Sequence, residues 1–251
     1  MPNIFHDLRY AFRCEVDDGF AAANSALTID PTIAEAYLPM VRRLEDRLQY
    51  DEADAQMAKA LELDPESWEV NKEGARVCMR QRRFAEAAAL LERAVAVMPS
   101  DVHAWARLVT LYHALGEVAA KKVAAESTIG EAEKLLANDP SNGAVMSFGA
   151  GAYAAVGQVD RAREWAERGA LVDPDNSSMR YNFACALAAF GGDKEGALRQ
   201  LDRSLRTAGA FHIAMAEGDP DLDSLRDEPQ FKAIMTRARK RLGIKEPVAA
   251  I

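Results

Sequence analysis

Three aspartates alternate near the end of the chain, Asp219, Asp221 and Asp223, within EGDPDLDSLRDEPQF (217–231). Alternating carboxylates are how a calcium loop of the EF-hand type begins, because a hard cation needs several oxygens from one short segment. Such a loop also requires glycine at its sixth place and a bidentate glutamate at its twelfth. Counting from Asp219, those places hold Ser224 and Gln230, and Pro220 interrupts the start. The run therefore reads as turn and cap chemistry. Asp219 with Pro220 starts a turn, and Asp221 or Asp223 accepts from the free amides opening a short helical turn through Leu225. Pro229 then opens a last helix with Phe231, Ile234 and Met235 on one side, and its basic end, RARKR (237–241), suits the negative end of the helix dipole.

A second group is basic. In WEVNKEGARVCMRQRR (68–83), Lys72, Arg76 and Arg80 stand four apart, which places them on one face of a helix. Arginines grip carboxylates by paired hydrogen bonds, so an open stripe of this kind suits an acidic peptide segment. The competing reading is a helix face balanced by the chain's own acids, with Glu45 and Asp46 near enough to neutralise part of it.

Elsewhere the chemistry is sparse. His6, His103, His113 and His212 form no HExxH, HxH or His–Cys spacing. Cys14, Cys78 and Cys185 are far apart, lack a CxxC and are odd in number, which reads as small apolar packing in a reducing compartment. Glycine-rich phosphate loops and serine elbows are absent, and the Gly149-Ala150-Gly151 run reads as close helix packing. The expectation is no catalytic residue, no metal ligand, no cofactor, and a protein that is not an enzyme.

The elements that must position these groups follow from the prolines. Pro31, Pro65, Pro99, Pro140 and Pro174 are separated by 34, 34, 41 and 34 residues. Five residues before them stand Ala26, Ala60, Ala94, Leu135 and Gly169, and twelve before stand Gly19, Ala53, Ala87, Thr128 and Ala162. Positions seven apart share a helix face, small residues there let a neighbour approach, and the proline stops the helix. Upstream lies a second amphipathic segment, as in WARLVTLYHALG (105–116), where Trp105, Leu108 and Tyr112 follow helical spacing and Gly116 ends it. Each unit is helix, short turn, helix, proline.

The composition fits such an array. The 251 residues are 49% apolar but only 7% aromatic, so helices meet over small side chains. A formal charge of −8 argues against a nucleic-acid binder relying on overall positive charge. No apolar stretch approaches the ~20 residues of a membrane span, and Asp7, Arg9 and Arg13 interrupt any signal-peptide core. A cytoplasmic protein that uses neither nucleic acid nor membrane is expected.

These residues resemble the tetratricopeptide repeat. The fullest match is AVMSFGAGAYAAVGQVDRAREWAERGALVDP (144–174), where Ala150, Tyr153, Gly157, Ala162 and Pro174 occupy signature places. The resemblance implies an all-α, right-handed superhelical solenoid of six helix-turn-helix repeats, 1–33, 34–67, 68–101, 102–142, 143–176 and 177–207. A helical cap over 208–243 and a tail of 244–251 complete it. The first unit is weakest, because its opening helix, 2–13, puts His6 and Asp7 where small apolar residues usually sit. The long unit carries seven extra residues within 121–130, about two helical turns, so a lengthened second helix keeps its facing. In the sixth unit Gly191-Gly192 widens the turn, and Pro39 either falls in a first turn or bends its helix.

By the same resemblance, the first helix of each repeat lines a concave groove. This would turn Lys72, Arg76, Arg80 and neighbouring Arg42 into it, with His103 beyond and then small neutral residues ending at Tyr181 and Cys185. YNFACALAAFG (181–191) followed by DPDLDSLRDEPQF (219–231) is similar to the closing module of bacterial tetratricopeptide arrays. Such arrays form C-terminal parts of class III adenylate cyclases and TolB-like or winged-helix regulators. The chain shows no cyclase, kinase or DNA-binding segment of its own. The resemblance thus implies a non-catalytic scaffold for a protein or acidic peptide partner, with a regulatory module of a signalling protein as the alternative; the rival from another class is a hydrolase or transferase built on the groove. Ile4, Leu8 and Phe12, four apart, would form a dimer contact or the seat of an upstream domain if exposed.

Overall fold

The computed structural model describes residues 16–244. The helix expected over 2–13 and the Ile4, Leu8, Phe12 edge lie outside the described residues, as does the tail from residue 245.

Within them the chain is all helical. Paired helices follow one another: α1 (Val16–Ile29), α2 (Leu38–Asp46) with α3 (Tyr50–Leu63), α4 (Trp68–Arg80) with α5 (Phe84–Val97), and α6 (Val102–Leu115) with α7 (Val118–Asn138). Next come α8 (Gly143–Ala155) with α9 (Val159–Val172), and α10 (Ser177–Ala186) with α11 (Lys194–Leu205). Three further elements end the described chain: α12 (Ala210–Gly218), a 3-10 turn (Pro220–Leu225) and α13 (Pro229–Leu242).

The proline rhythm works through hydrogen bonds as well as through helix stopping. Two residues after four of the prolines stand Ser67, Asp101, Asn142 and Asn176, and each side chain caps the helix it precedes by accepting a backbone N–H. Ile33 occupies the same place after Pro31 and has no oxygen to offer, so that helix begins as a 3-10 turn (Ala34–Tyr37). Pro39 follows it in the first turn of α2, where its missing N–H costs nothing, and the question of a bend is resolved. The proline carbonyls are satisfied too. Tyr37, Asn71 and Trp105, each six residues on, donate to Pro31, Pro65 and Pro99 at 2.9, 2.8 and 2.8 Å.

The turn inside each pair has its own rule. Leu48, Arg82, Gly116, Gly157 and Gly192 all adopt a left-handed φ, of 61, 58, 73, 79 and 63°. Glycine takes that conformation without strain, whereas Leu48 and Arg82 bear a cost of ~1–2 kcal/mol each.

The small-residue pairs are buried as spacing requires: Ala53 with Ala60 and Ala87 with Ala94 are fully covered. Helix α7 has 21 residues where α3, α5 and α9 have 14, so the seven extra residues do lengthen the second helix. They also shift the landmark. Leu135 is 41% exposed, and the buried seven-residue pair is Ala125 with Ala132. The extra residue of the last pair is absorbed differently from the wide turn expected, as a π-helical Leu187–Gly191 ending α10. Close approach is extreme at Gly149, where a Cβ would stand 2.1 Å from the Trp165 ring.

The end of the chain departs furthest from a simple cover. Helix α13 does close the last pair, burying Phe231, Ile234 and Met235 against α11. Helix α12 and the 3-10 turn instead fold back along the stack, touching α2 and α4 at one end and α6 and α10 at the other.

Candidate functional site

The returning arm leaves a cavity of about 360 Å³ between itself and the concave face. Its protein walls come from α2, α4, α6, α8 and α10, the first helix of each pair, as the resemblance implied, and from the arm.

One end is basic. Arg42 donates to both carboxylate oxygens of Glu73 at 3.0 Å, and Arg76 bridges Glu45 at 2.6 Å and Glu73 at 2.8 Å. Arg80 pairs with Glu45 at 3.0 Å and Asp54 at 2.6 Å. The stripe expected from spacing therefore forms, but Arg76 is buried, Arg80 is partly buried, and both are paired with the chain's own acids. Ala214 and Met215 of α12 lie over them. Asp46, expected to share the neutralisation, is exposed, and Glu45 does the work. Lys72 holds Asp101 at 2.7 Å and lies over the Trp68 ring. Burial alone would raise Glu73, but Arg76 and Arg42 outweigh it and hold the carboxyl well below its usual range.

Arg107, which spacing did not single out, stands beside this network on the cavity wall. Its Nε donates to His103 Nε2 at 3.0 Å and its Nη1 approaches the Met79 sulfur at 3.7 Å. No carboxylate among the described residues pairs with it. Burial and the nearby Arg76 bring its pKa down to about 10, so it keeps its charge at neutral pH. Burial, Arg107 and Lys72 push His103 well below its ordinary value. The imidazole is thus a neutral acceptor that fixes the guanidinium, with its ring tilted on Phe148.

The other end is acidic and belongs to the arm. Asp219 Oδ1 accepts from Asp221 N at 3.0 Å, so Asp219 caps the 3-10 turn, a role expected of Asp221 or Asp223. Asp219 Oδ2 accepts from the Tyr181 hydroxyl at 2.8 Å, and Cys185 Sγ lies 3.5 Å away. Asp221 is buried too and accepts from Thr110 Oγ1 at 2.8 Å. Asp223 faces outward and pairs with Arg82 and Arg226. Tyr181, expected as a groove residue, is in the groove but committed to the arm. Sequence reasoning missed the partnership because Asp219 and Asp221 meet Tyr181, Cys185 and Thr110, which stand 34 to 111 positions earlier in the chain. The run DPDLD was the available signal, and its alternation suggested a local loop.

No described helix is long and apolar enough to cross a membrane. Residues 79–120 match the family model for the tetratricopeptide repeat. No curated protein matches the chain. Among solved structures, PilF of Pseudomonas aeruginosa is 21% identical with a TM-score of 0.51, over 85% of this chain and 95% of that one. YrrB, described as a tetratricopeptide protein with an unusual peptide-binding site, is 18% identical with a TM-score of 0.45, over 87% and 98%. MamA is 20% identical with a TM-score of 0.43, over 69% and 90%. The likeness to PilF shows a shared fold: stacked helix-turn-helix pairs of the tetratricopeptide kind.

Proposed function

We propose that the chain is a non-catalytic interaction module that receives an acidic group of a partner protein, a chain end or an acidic side chain, in the groove left open by its arm. Arg107 is the receptor for the anion and His103 positions it. The observation that carries this reading is a guanidinium on the cavity wall with no ion pair among the described residues. A partly buried charge is costly without a counter-charge, and an entering carboxylate would supply one by paired hydrogen bonds. The cavity lies in the lower range for ligand pockets, which suits a short segment rather than a long peptide. Assignment of the array to an adenylate cyclase or TolB-like signalling protein rests on the tail motif alone.

A peptide display selection against the full chain tests the proposal. Selected peptides should carry a free C-terminus or an acidic residue, lose affinity roughly tenfold or more in Arg107→Gln, and weaken with salt. Binders that are basic or apolar, or that bind Arg107→Gln equally well, would contradict it.

A further inference from the structure

Cys185 Sγ and one carboxylate oxygen each of Asp219 and Asp221 lie within 4.8 Å of one another, and all three residues are buried. Each carboxylate is oriented by a second group, Asp219 by Tyr181 and Asp221 by Thr110. Oriented ligands of this kind surround metals, where outer hydrogen bonds fix the donor atoms. A separate observation points the same way. Asp221 is 6% exposed, and its Oδ1 has no hydrogen-bond partner. Buried carboxylate oxygens are almost always satisfied, so an orphan one asks for a cation or a proton.

The distances suit a small ion. Four-coordinate zinc takes sulfur at about 2.3 Å and oxygen at about 2.0–2.2 Å, which puts neighbouring donors roughly 3.5 Å apart. The Cys185–Asp219 pair already stands at 3.5 Å. Asp221 offers the third donor within the same 4.8 Å cluster, and the adjoining cavity, which all three residues line, supplies an entry path and room for a fourth ligand. One thiolate with two carboxylates favours a borderline divalent ion over magnesium or calcium, whose preference is for oxygen alone.

We propose that Cys185, Asp219 and Asp221 form a binding site for a divalent transition-metal ion of the zinc type. Because two ligands belong to the arm and one to α10, the ion would pin the arm into the groove. On binding, the Cys185 thiol proton passes to solvent and the sulfur lone pair that it held becomes the metal bond. The site shares its cavity with the proposed peptide groove, but none of its three donors is Arg107 or His103, so the metal test is read without any peptide.

Cobalt(II) chloride titrated into chelator-treated full-length protein tests it. One equivalent should bind with thiolate-to-cobalt charge-transfer absorption, zinc chloride should displace the cobalt, and zinc should raise the melting temperature. Cys185→Ser should abolish the absorption, and Thr110→Val should keep it while weakening affinity roughly tenfold. No such absorption in the wild type would overturn the site, and equal absorption in Cys185→Ser would overturn it and assign the metal to another cysteine. Should Cys185→Ser fail to fold, X-ray absorption of the wild-type zinc complex decides. One sulfur among oxygen donors supports the site, and a shell with no sulfur or several overturns it.

Discussion

Arg82 and Asp223 are 141 positions apart in sequence and join the turn after α4 to the arm, with Nη1 donating to Oδ1 at 2.9 Å. Arg82 Nη1 also reaches the Gly218 carbonyl at 3.3 Å, so one side chain holds two points of the arm. It does so from a left-handed turn position where three equivalent turns carry glycine. The local strain at Arg82 thus coincides with its long-range contact.

Arg82→Gly should therefore separate two effects. Relief of the left-handed strain should raise global stability by ~1 kcal/mol, while loss of the guanidinium should quicken amide exchange over residues 210–226. Leu48→Gly relieves the same strain and removes no hydrogen bond or ion pair to the arm, so it should stabilise without that quickening. Chemical denaturation and hydrogen exchange of both variants check this.

A second prediction concerns how closely the arm is seated. A Cβ on Gly218 would stand 2.9 Å from Arg80 Cα and from the carbonyl oxygens of Arg80 and Met79, all backbone atoms that cannot step aside. Gly218→Ala should lift α12 and cost ~1–3 kcal/mol, the range for overpacking. Exchange should rise in residues 38–46 and 68–80, which α12 covers. Unchanged exchange there would mean that the arm is not docked as described.

Acid should act through Glu73. Its carboxyl is depressed in the folded state, so its contribution is complete above the unfolded value of ~4.3 and is lost as pH falls below that. Glu73→Gln should cost about 3 kcal/mol at neutral pH, as for a broken buried pair. It should also flatten the stability loss below pH ~4. Urea denaturation of both proteins across pH gives the two slopes.

Much of the fold was legible because the repeat writes its physics at fixed intervals. Pro65, Ala53 and Ala60 mark a stop and a close-packed face, and Ser67 caps the next helix at the place that spacing assigns. Insertions blur this. Leu135 holds the landmark position by count from Pro140, yet helical phase gives the buried place to Ala132. The basic stripe was legible as a face and Glu45 as an acid near it, but four-residue spacing is silent on Asp54 from another helix or on Met215 lying above. The acidic run was the hardest, because Asp219 and Asp221 take their meaning from Tyr181, Cys185 and Thr110, contacts across more than thirty residues that no local pattern encodes.

The most direct test of the account is a hydrogen-exchange footprint of the full chain with a selected acidic peptide bound. Protection should fall on the inner helices, at residues 68–80, 102–115 and 143–155, and should vanish in Arg107→Gln. Protection on the outer helices, at residues 84–97, 118–138 or 159–172, would place the working surface outside the groove and contradict the account.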